Sequence, residues 1–169
     1  MVYHVKVIVI GEPGVGKTSL VKKFISGRFS TDYRASIGTN IYIKKLKIDS
    51  DVSIHLWDIA GQEKWIKMRH TYYKGSHGAL VVGDLTRENT FEQISSFWLP
   101  DLKKNCGEIP LILLANKNDL KSELNNSLMT KIREEINAKS IIYTSAKSGK
   151  NVEEAFHLIA KQILSSIIQ

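Results

Sequence analysis

The chain has little of what marks secreted, fibrous or membrane-embedded proteins. Its 169 residues include one cysteine, which excludes an internal disulfide, and three prolines, too few for a proline-rich linker. No apolar run approaches the about 20 residues that a transmembrane helix needs, and the first residues contain no apolar core of a secretory signal. These absences favour a cytoplasmic protein without a membrane span.

Length and composition favour one globular domain over residues 1–169. Hydrophobic residues make up 43% of the chain and charged residues 24%, values that exclude a disordered chain, a collagen and a coiled coil. The formal net charge of +7 attracts phosphates, nucleic acid or anionic lipid, or it simply keeps the surface soluble. No arginine-rich run or aromatic RNA-binding signature accompanies this charge, so we expect no nucleic acid partner.

Strand-like and helix-like segments alternate from end to end of the chain. A short polar connection joins the second strand pattern to the third, which predicts an antiparallel hairpin. Two later patterns, 78–85 and 111–115, are almost continuously apolar, as buried parallel strands are. This order predicts a three-layer α/β domain with a mostly parallel sheet. The six strand patterns cover residues 3–10, 39–48, 52–59, 78–85, 111–115 and 141–143.

Apolar residues at helical spacing fill the segments between the strand patterns. Pro100 lies inside one such pattern, 91–102, and should kink that helix or loosen its middle. The clearest pattern covers 152–167, where we expect Asn151 to cap the helix and Glu154 to reach back to the cap.

A glycine loop follows the first strand pattern and opens the first helix pattern. Residues 11–18 read Gly-Glu-Pro-Gly-Val-Gly-Lys-Thr and match the phosphate-binding pattern G-x-x-x-x-G-K-[ST]. Its glycines let backbone N–H groups wrap round phosphate oxygens, Lys17 supplies charge to the β- and γ-phosphates, and Thr18 can ligate Mg²⁺. The loop therefore predicts a nucleoside triphosphate site. Its candidate residues are Gly11, Gly14, Val15, Gly16, Lys17, Thr18 and Ser19.

A second segment, 58–62, follows the third strand pattern and offers groups for a metal ion and a terminal phosphate. Asp58 can hold the Mg²⁺ shell, the N–H of Gly61 can contact a γ-phosphate, and Gln62 can orient an attacking water. We therefore take Lys17 and Gln62 as the candidate catalytic residues.

Two further segments point to the base of the nucleotide. Asn-Lys-Asn-Asp at 116–119 follows the strand pattern 111–115, and Ser-Ala-Lys at 145–147 follows 141–143. A carboxylate at Asp119 can accept both the N1–H and the exocyclic N–H of guanine, whereas adenine offers a mismatched edge. Each string alone is weak, because the first also fits a capped turn and the second a solvated lysine. Since each follows a strand, the two are predicted to meet in one crevice.

With these four segments the chain resembles the Ras superfamily of small GTPases, and most closely its Rab branch. Rab-like strings include Leu-Trp-Asp-Ile-Ala-Gly-Gln-Glu at 56–63 and Tyr-Tyr-Lys-Gly at 72–75. The resemblance implies a P-loop NTPase G domain with a six-stranded, mostly parallel sheet, one antiparallel edge hairpin and five helices. It also implies a molecular switch that binds GTP and GDP with Mg²⁺ and hydrolyses GTP slowly. The implied switch regions cover about 31–39 and 61–73.

The resemblance assigns roles to further residues. It implies that Phe29 and Lys117 flank the base, and that Ser36 ligates Mg²⁺ where the family usually has threonine. The implied metal set is Thr18, Ser36 and Asp58. The nucleotide-binding residues that the resemblance adds are Phe29, Ser36, Gly61, Asn116, Lys117, Asp119, Ser145, Ala146 and Lys147.

The resemblance further implies a monomer that meets effectors, exchange factors and GTPase-activating proteins through its switch regions. Peripheral contact with a membrane stays open, although this chain carries no lipidation motif before its last residue, Gln169. Two other functions are compatible with the phosphate-binding pattern: a scaffold that binds nucleotide without turnover, and a P-loop nucleotide kinase. Against the scaffold argue four intact residues: Lys17, Thr18, Asp58 and Gln62. No segment is left over for the lid and acceptor site of a kinase.

Overall fold

Six strands form one sheet in the computed structural model, which describes residues 1–28, 38–61, 66–122 and 124–168. They lie in the order β2-β3-β1-β4-β5-β6, and every neighbouring pair is parallel except the β2–β3 hairpin. The predicted mostly parallel sheet with one antiparallel edge hairpin is confirmed. The strands are β1 (Val2–Ile10), β2 (Thr39–Lys47), β3 (Asp51–Ile59), β4 (Gly78–Asp84), β5 (Leu111–Asn116) and β6 (Ser140–Tyr143).

Strand β1 supplies apolar side chains to both faces of the sheet. Val7 and Val9 belong to the core on one face, Ile8 and Ile10 belong to the core on the other, and all four are fully buried. β3 and β4 flank this strand on its two sides. A strand that is covered on both faces needs apolar residues without alternation, which explains the run Val-Ile-Val-Ile at 7–10.

Five helices within the described residues cover the two faces of the sheet. The first and the fifth pack on one face and the other three pack on the opposite face, which confirms the predicted three layers. Among the residues described, no helix is both long enough and apolar enough to cross a membrane. The helices are α1 (Lys17–Ser26), α2 (Ile66–Tyr73), α3 (89–106), α4 (Asn126–Ile136) and α5 (Val152–Ile168).

Helix α3 widens into a π-helical turn just before its proline. At the end of that turn the N–H of Leu99 donates to the carbonyl oxygen of Ile94, five residues back. Pro100 then lies in the first turn of the last α-helical part, where its missing N–H is not required. This widening is the loosening that Pro100 predicts. The three parts of α3 are the α-helical Asn89–Gln93, the π-helical Ile94–Trp98 and the α-helical Leu99–Cys106.

The start of α5 differs from the predicted cap. Asn151 has a left-handed backbone, with φ of 57°, and its Nδ2 donates to the carbonyl oxygen of Tyr143 at 2.8 Å. The side chain therefore ties the start of α5 to the end of β6, beside the predicted base loop at 145–147.

The carboxyl ends of five strands meet at one edge of the sheet. β1, β3, β4, β5 and β6 run in the same direction, so the loops that follow them are neighbours. The strand register sets Asp84 beside Asn116, and Val9 beside Asp58. The predicted phosphate, metal and base segments all follow strands at this edge.

Gly83 of β4 sets a packing limit close to this edge. A Cβ at this position would lie 2.4 Å from Cε1 of Phe91, whose ring is fully buried. We expect Gly83→Ala to lower the free energy of unfolding by about 1–3 kcal/mol, as measured by urea denaturation, because the core must shift to admit the methyl group. Gly83→Ala combined with Phe91→Leu should cost less than the sum of the two single variants. Fully additive costs would contradict this contact.

Candidate nucleotide-binding site

The glycine loop between β1 and α1 follows a path that only glycine permits. Gly11, Gly14 and Gly16 have φ of 146°, 76° and 104°, values that residues with a Cβ rarely adopt. Two of them also lack room for a side chain. A Cβ on Gly11 would lie 2.3 Å from the carbonyl oxygen of Val82, and a Cβ on Gly16 would lie 2.3 Å from Nδ2 of Asn116. Such a tight backbone is what a loop needs to wrap a phosphate.

Lys17 begins α1 and turns back under the loop. Its side chain is 6% exposed, and its Nζ donates to the carbonyl oxygens of Gly11 and Glu12 at 2.7 and 2.8 Å. Burial lowers the pKa of Lys17 to about 8, while the nearby carboxylates of Asp58 and Glu12 oppose that shift. An anion bound at this place would stabilise the ammonium charge.

A carboxylate from β3 reaches the first turn of α1. The Oγ1 of Thr18 donates to Oδ2 of Asp58 at 2.5 Å, and Asp58 is fully buried. Burial raises the pKa of Asp58, and the hydrogen bond from Thr18 and the charge of Lys17 oppose the rise. Within the described part of the chain, Oδ1 of Asp58 has no hydrogen-bond partner. A buried, unsatisfied carboxylate oxygen beside a hydroxyl fits a hard cation such as Mg²⁺.

Gly61 lies against the crown of the phosphate loop, which we define as Glu12 and Pro13. A Cβ on Gly61 would lie 2.7 Å from the carbonyl oxygen of Gly11, 2.7 Å from the nitrogen of Pro13 and 2.9 Å from the carbonyl carbon of Glu12. Only glycine lets the two backbones come this close. Gly61 is thereby in close contact with the phosphate loop.

The amide of Asn116 joins three loops. Its Nδ2 donates to the carbonyl oxygen of Val15 in the phosphate loop at 2.9 Å. Its Oδ1 accepts from Oγ1 of Thr144 at 3.1 Å and from the N–H of Ala146 at 3.3 Å. The resemblance implies a base contact from Asn116. The structure gives the buried side chain three contacts within the protein, which fix the loops relative to one another.

Asp119 is exposed at the same edge with one carboxylate oxygen held in place. Its Oδ1 accepts a hydrogen bond from Oγ of Ser145 at 2.7 Å. Ser145 is buried, and its Oγ accepts in turn from the N–H of Ser148 at 3.0 Å. The serine hydroxyl therefore links the 116–119 loop to the 145–147 loop and orients an exposed carboxylate that can accept hydrogen bonds from a base.

The base-side Lys117 is held by an acid, Asp84, to which the sequence analysis gave no role in the site. Its backbone has φ of 68°, and its Nζ lies 2.7 Å from Oδ2 of Asp84. Asp84 is fully buried at the end of β4 and also accepts from the N–H and Oγ1 of Thr86, at 2.9 and 2.6 Å. Burial opposes its charge, yet hydrogen bonds from Lys117, Thr86 and Arg87 hold the pKa of Asp84 below its ordinary value.

Two further contacts reach the crown from residues outside the predicted site. Arg87 donates from Nη2 to the carbonyl oxygen of Pro13 at 2.9 Å, and Trp98 donates from Nε1 to Oε1 of Glu12 at 2.7 Å. Helical spacing alone indicates that Trp98 is a core residue, and its ring is indeed buried. The sequence did contain one indication of this contact, because the indole N–H of a buried tryptophan usually has a hydrogen-bond partner.

Five other predicted site residues have no contact in the geometry described above, and three of them lie outside the described part of the chain. Phe29, Ser36 and Gln62 lie outside the residues that the structure describes. Ser19 is half-buried on α1, and Lys147 is exposed.

Comparison with known proteins gives the family. The model of the Ras family matches residues 6–165. Ras-related protein Rab-1 of Theileria parva is 38% identical over 170 residues, covering 99% of this chain and 77% of that protein. Ras-related protein Rab-32 of Homo sapiens is 42% identical over 168 residues, covering 94% of this chain and 74% of that protein. Ras-related protein Rab-19 of Rattus norvegicus is 34% identical over 167 residues, covering 96% of this chain and 76% of that protein.

These matches extend over nearly the whole chain, and they include the phosphate loop and both base-side loops. The resemblance to the Rab branch is confirmed at the level of sequence, and the fold agrees with it. The chain belongs to the Ras family of small GTPases, and Rab proteins are among its relatives.

Proposed function

We propose that the protein binds GTP and GDP with Mg²⁺, hydrolyses GTP slowly to GDP and phosphate, and works as a molecular switch. The observation that carries the proposal is the Asn116 amide, which joins the phosphate loop to both base-side loops. A site built in this way holds the two ends of a nucleotide at a fixed separation. Membership of the Ras family supports the same function.

Guanine recognition rests on Asp119 in this proposal. Guanine presents two adjacent N–H groups, at N1 and at its exocyclic amine, and a carboxylate accepts both. Adenine presents an acceptor at N1 and would leave the carboxylate partly unpaired. The hydrogen bond from Ser145 supports this role because it orients the carboxylate before a base arrives.

The phosphates would lie in the glycine loop, over Lys17 and the N-terminus of α1. Thr18 and Asp58, with Ser36, would hold Mg²⁺, which neutralises charge on the β- and γ-phosphate oxygens when bound. The N–H of Gly61 would donate to the γ-phosphate, and Gln62 would orient the attacking water. Loss of the γ-phosphate would remove the contact to Gly61 and release the segment that follows it.

An exposed apolar face beside the switch regions fits partner proteins. Ile41 and Ile43 project from β2 and are 50% and 59% exposed. Ile41 lies across from Trp57, whose ring centroid is 6.2 Å from that of Tyr72. Clustered exposed apolar side chains mark interaction sites on soluble proteins. We propose that effectors, exchange factors and GTPase-activating proteins contact this face together with the switch regions.

Replacement of Asp119 tests guanine recognition. Asp119→Asn turns an acceptor into a donor toward the exocyclic amine, so we expect GTP affinity to fall by about 100-fold or more. Affinity for xanthosine triphosphate, which carries an oxo group at that position, should rise. Titration calorimetry measures both constants. The exposed Asp49→Asn, in the β2–β3 turn, is the matched control and should bind GTP as the parent does. Unchanged GTP affinity in Asp119→Asn would refute the assignment.

Single-turnover release of phosphate from preloaded GTP tests the enzyme activity, with ATP and chelated Mg²⁺ as controls. We expect a rate of about 10⁻³ s⁻¹ or slower, the range of an unassisted member of the family. Gln62→Leu should slow turnover at least about tenfold while GTP affinity holds, because the amide that orients water is lost. Binding without any release would favour a nucleotide-binding scaffold, and transfer of phosphate to a nucleotide acceptor would favour a kinase.

The pH dependence of stability tests the buried state of Lys17. A lysine with a pKa of about 8 in the folded protein and 10.5 when unfolded loses its proton first in the folded state. Its contribution to stability therefore rises as the pH increases between these values. Without nucleotide, the free energy of unfolding of the parent relative to Lys17→Met should rise by about 1 kcal/mol from pH 8 to pH 9.

Urea denaturation at each pH makes that measurement. Lys104→Met, on the exposed side of α3, is the control and should follow the parent at every pH. A pH-independent difference between the parent and Lys17→Met would mean that Lys17 is not buried as described.

A further inference from the structure

One carboxylate oxygen of Asp84 contacts two cationic side chains. Its Oδ2 lies 2.7 Å from Nζ of Lys117 and 3.0 Å from Nε of Arg87. Its Oδ1 accepts both hydrogen bonds from Thr86. The carboxylate is fully buried, so it cannot turn to water when one of these partners is removed. Lys117 and Arg87 are therefore held in fixed positions relative to each other.

Arg87 uses two sides of its guanidinium at once. The Nε faces Asp84, and Nη2 donates to the carbonyl oxygen of Pro13 at 2.9 Å. A guanidinium can do this because its five N–H groups point in fixed, different directions in one plane. A lysine ammonium carries its N–H groups on one nitrogen at the end of a flexible stem, so it does not reproduce the two separate donor positions, Nε and Nη2, that Arg87 uses.

Pro13 can be held from this side only through its carbonyl oxygen. Proline has no backbone N–H, and its φ is fixed by its ring, so that oxygen is its one polar backbone group. The other residue of the crown, Glu12, is held from α3 through Trp98 Nε1 at 2.7 Å. Gly61 also lies against the backbone of the crown. The crown is therefore contacted by Gly61 and by two side chains, those of Arg87 and Trp98.

We propose that Arg87 is a positioning residue of the phosphate loop. Together with Asp84, Arg87 connects the base-side Lys117 to Pro13. The inference rests on the proposed function. Lys117, Asp84, Arg87 and Pro13 form a continuous series of contacts. Through this series, a base that orders Lys117 also favours the loop conformation that holds the phosphates. Arg87 contacts a main-chain carbonyl, so its role is to hold the loop and not to take part in the reaction.

Release of a fluorescent GDP analogue, methylanthraniloyl-GDP, from the full chain tests the proposal. Arg87→Gln should release it about 5–30-fold faster than the parent, the range that one lost contact of this kind covers. Arg87→Lys should be close to Arg87→Gln, because lysine can pair with Asp84 but does not also reach Pro13. Arg133→Gln, on α4 away from the site, removes the same charge and should release the analogue at the parent rate.

Phosphorus NMR of bound GDP separates positioning from a general loss of stability. In Arg87→Gln the β-phosphate resonance should shift relative to the parent, because the loop around that phosphate has changed. In Arg133→Gln it should not. Thermal unfolding without nucleotide should give a lower midpoint for Arg87→Gln than for Arg133→Gln, because the buried carboxylate of Asp84 loses one partner. Arg87→Lys, which can still pair with Asp84, should keep a midpoint closer to that of the parent, so fast release of the analogue by Arg87→Lys would report positioning and not stability.

The possible outcomes separate a failure of this inference from a failure of the proposed function. If the parent fails to bind the GDP analogue, the proposed function is wrong. If the parent binds it and Arg87→Gln releases it at the parent rate with an unshifted β-phosphate resonance, only the role of Arg87 is wrong. If Arg87→Lys restores slow release fully, pairing with Asp84 is sufficient and the connection to Pro13 is refuted.

Discussion

The hydrogen bonds of the Asn116 amide are the interaction on which the site depends. They connect a residue at the end of β5 to a loop 101 residues earlier in the chain and to another 30 residues later. All these groups are buried, so removing the amide would leave donors and acceptors without water, at about 1–3 kcal/mol for each orphaned group. The same amide excludes any side chain at Gly16, since a Cβ there would lie 2.3 Å from its nitrogen. One side chain thus fixes both the separation of the loops and the backbone of the phosphate loop.

The candidate site contains two charged side chains, Lys17 and Asp58, whose charges are disfavoured by burial. Lys17 is buried beneath carbonyl oxygens, and Asp58 keeps one buried oxygen without a described partner. Burial works against both charges, as their pKa directions indicate. A ligand that brings phosphate to one and a cation to the other would relieve both costs together, and it would stabilise the fold by mass action.

Local patterns in the sequence predict those features that depend on neighbouring residues alone, such as buried strands and unusual backbone conformations. The run Val-Ile-Val-Ile at 7–10 indicates a buried strand, and the glycines at 11, 14 and 16 indicate a backbone that only they can adopt. The family relationship accounts for the order of the strands.

Contacts between distant segments could not be predicted in the same way. Trp98 meets Glu12 across 86 residues and Arg87 meets Pro13 across 74, and no spacing rule relates such pairs. Asn151 shows the limit for a local rule as well. Its position favours a helix cap, but its backbone is left-handed, with φ of 57°, and its Nδ2 donates to the carbonyl oxygen of Tyr143.

The π-helical turn of α3 has a consequence for how sequences of this kind can change in length. Arg87 lies just before the helix and Trp98 lies at the end of the turn, and their side chains contact adjacent residues of the phosphate loop, Pro13 and Glu12. Each residue of an α-helix advances the side chain direction by about 100° and the axis by about 1.5 Å. Deleting one residue between these two would swing the indole away from Glu12 while Arg87 stayed in place. We therefore expect this stretch to tolerate insertions and deletions less well than a surface loop does, although none of the predicted nucleotide-binding motifs includes it.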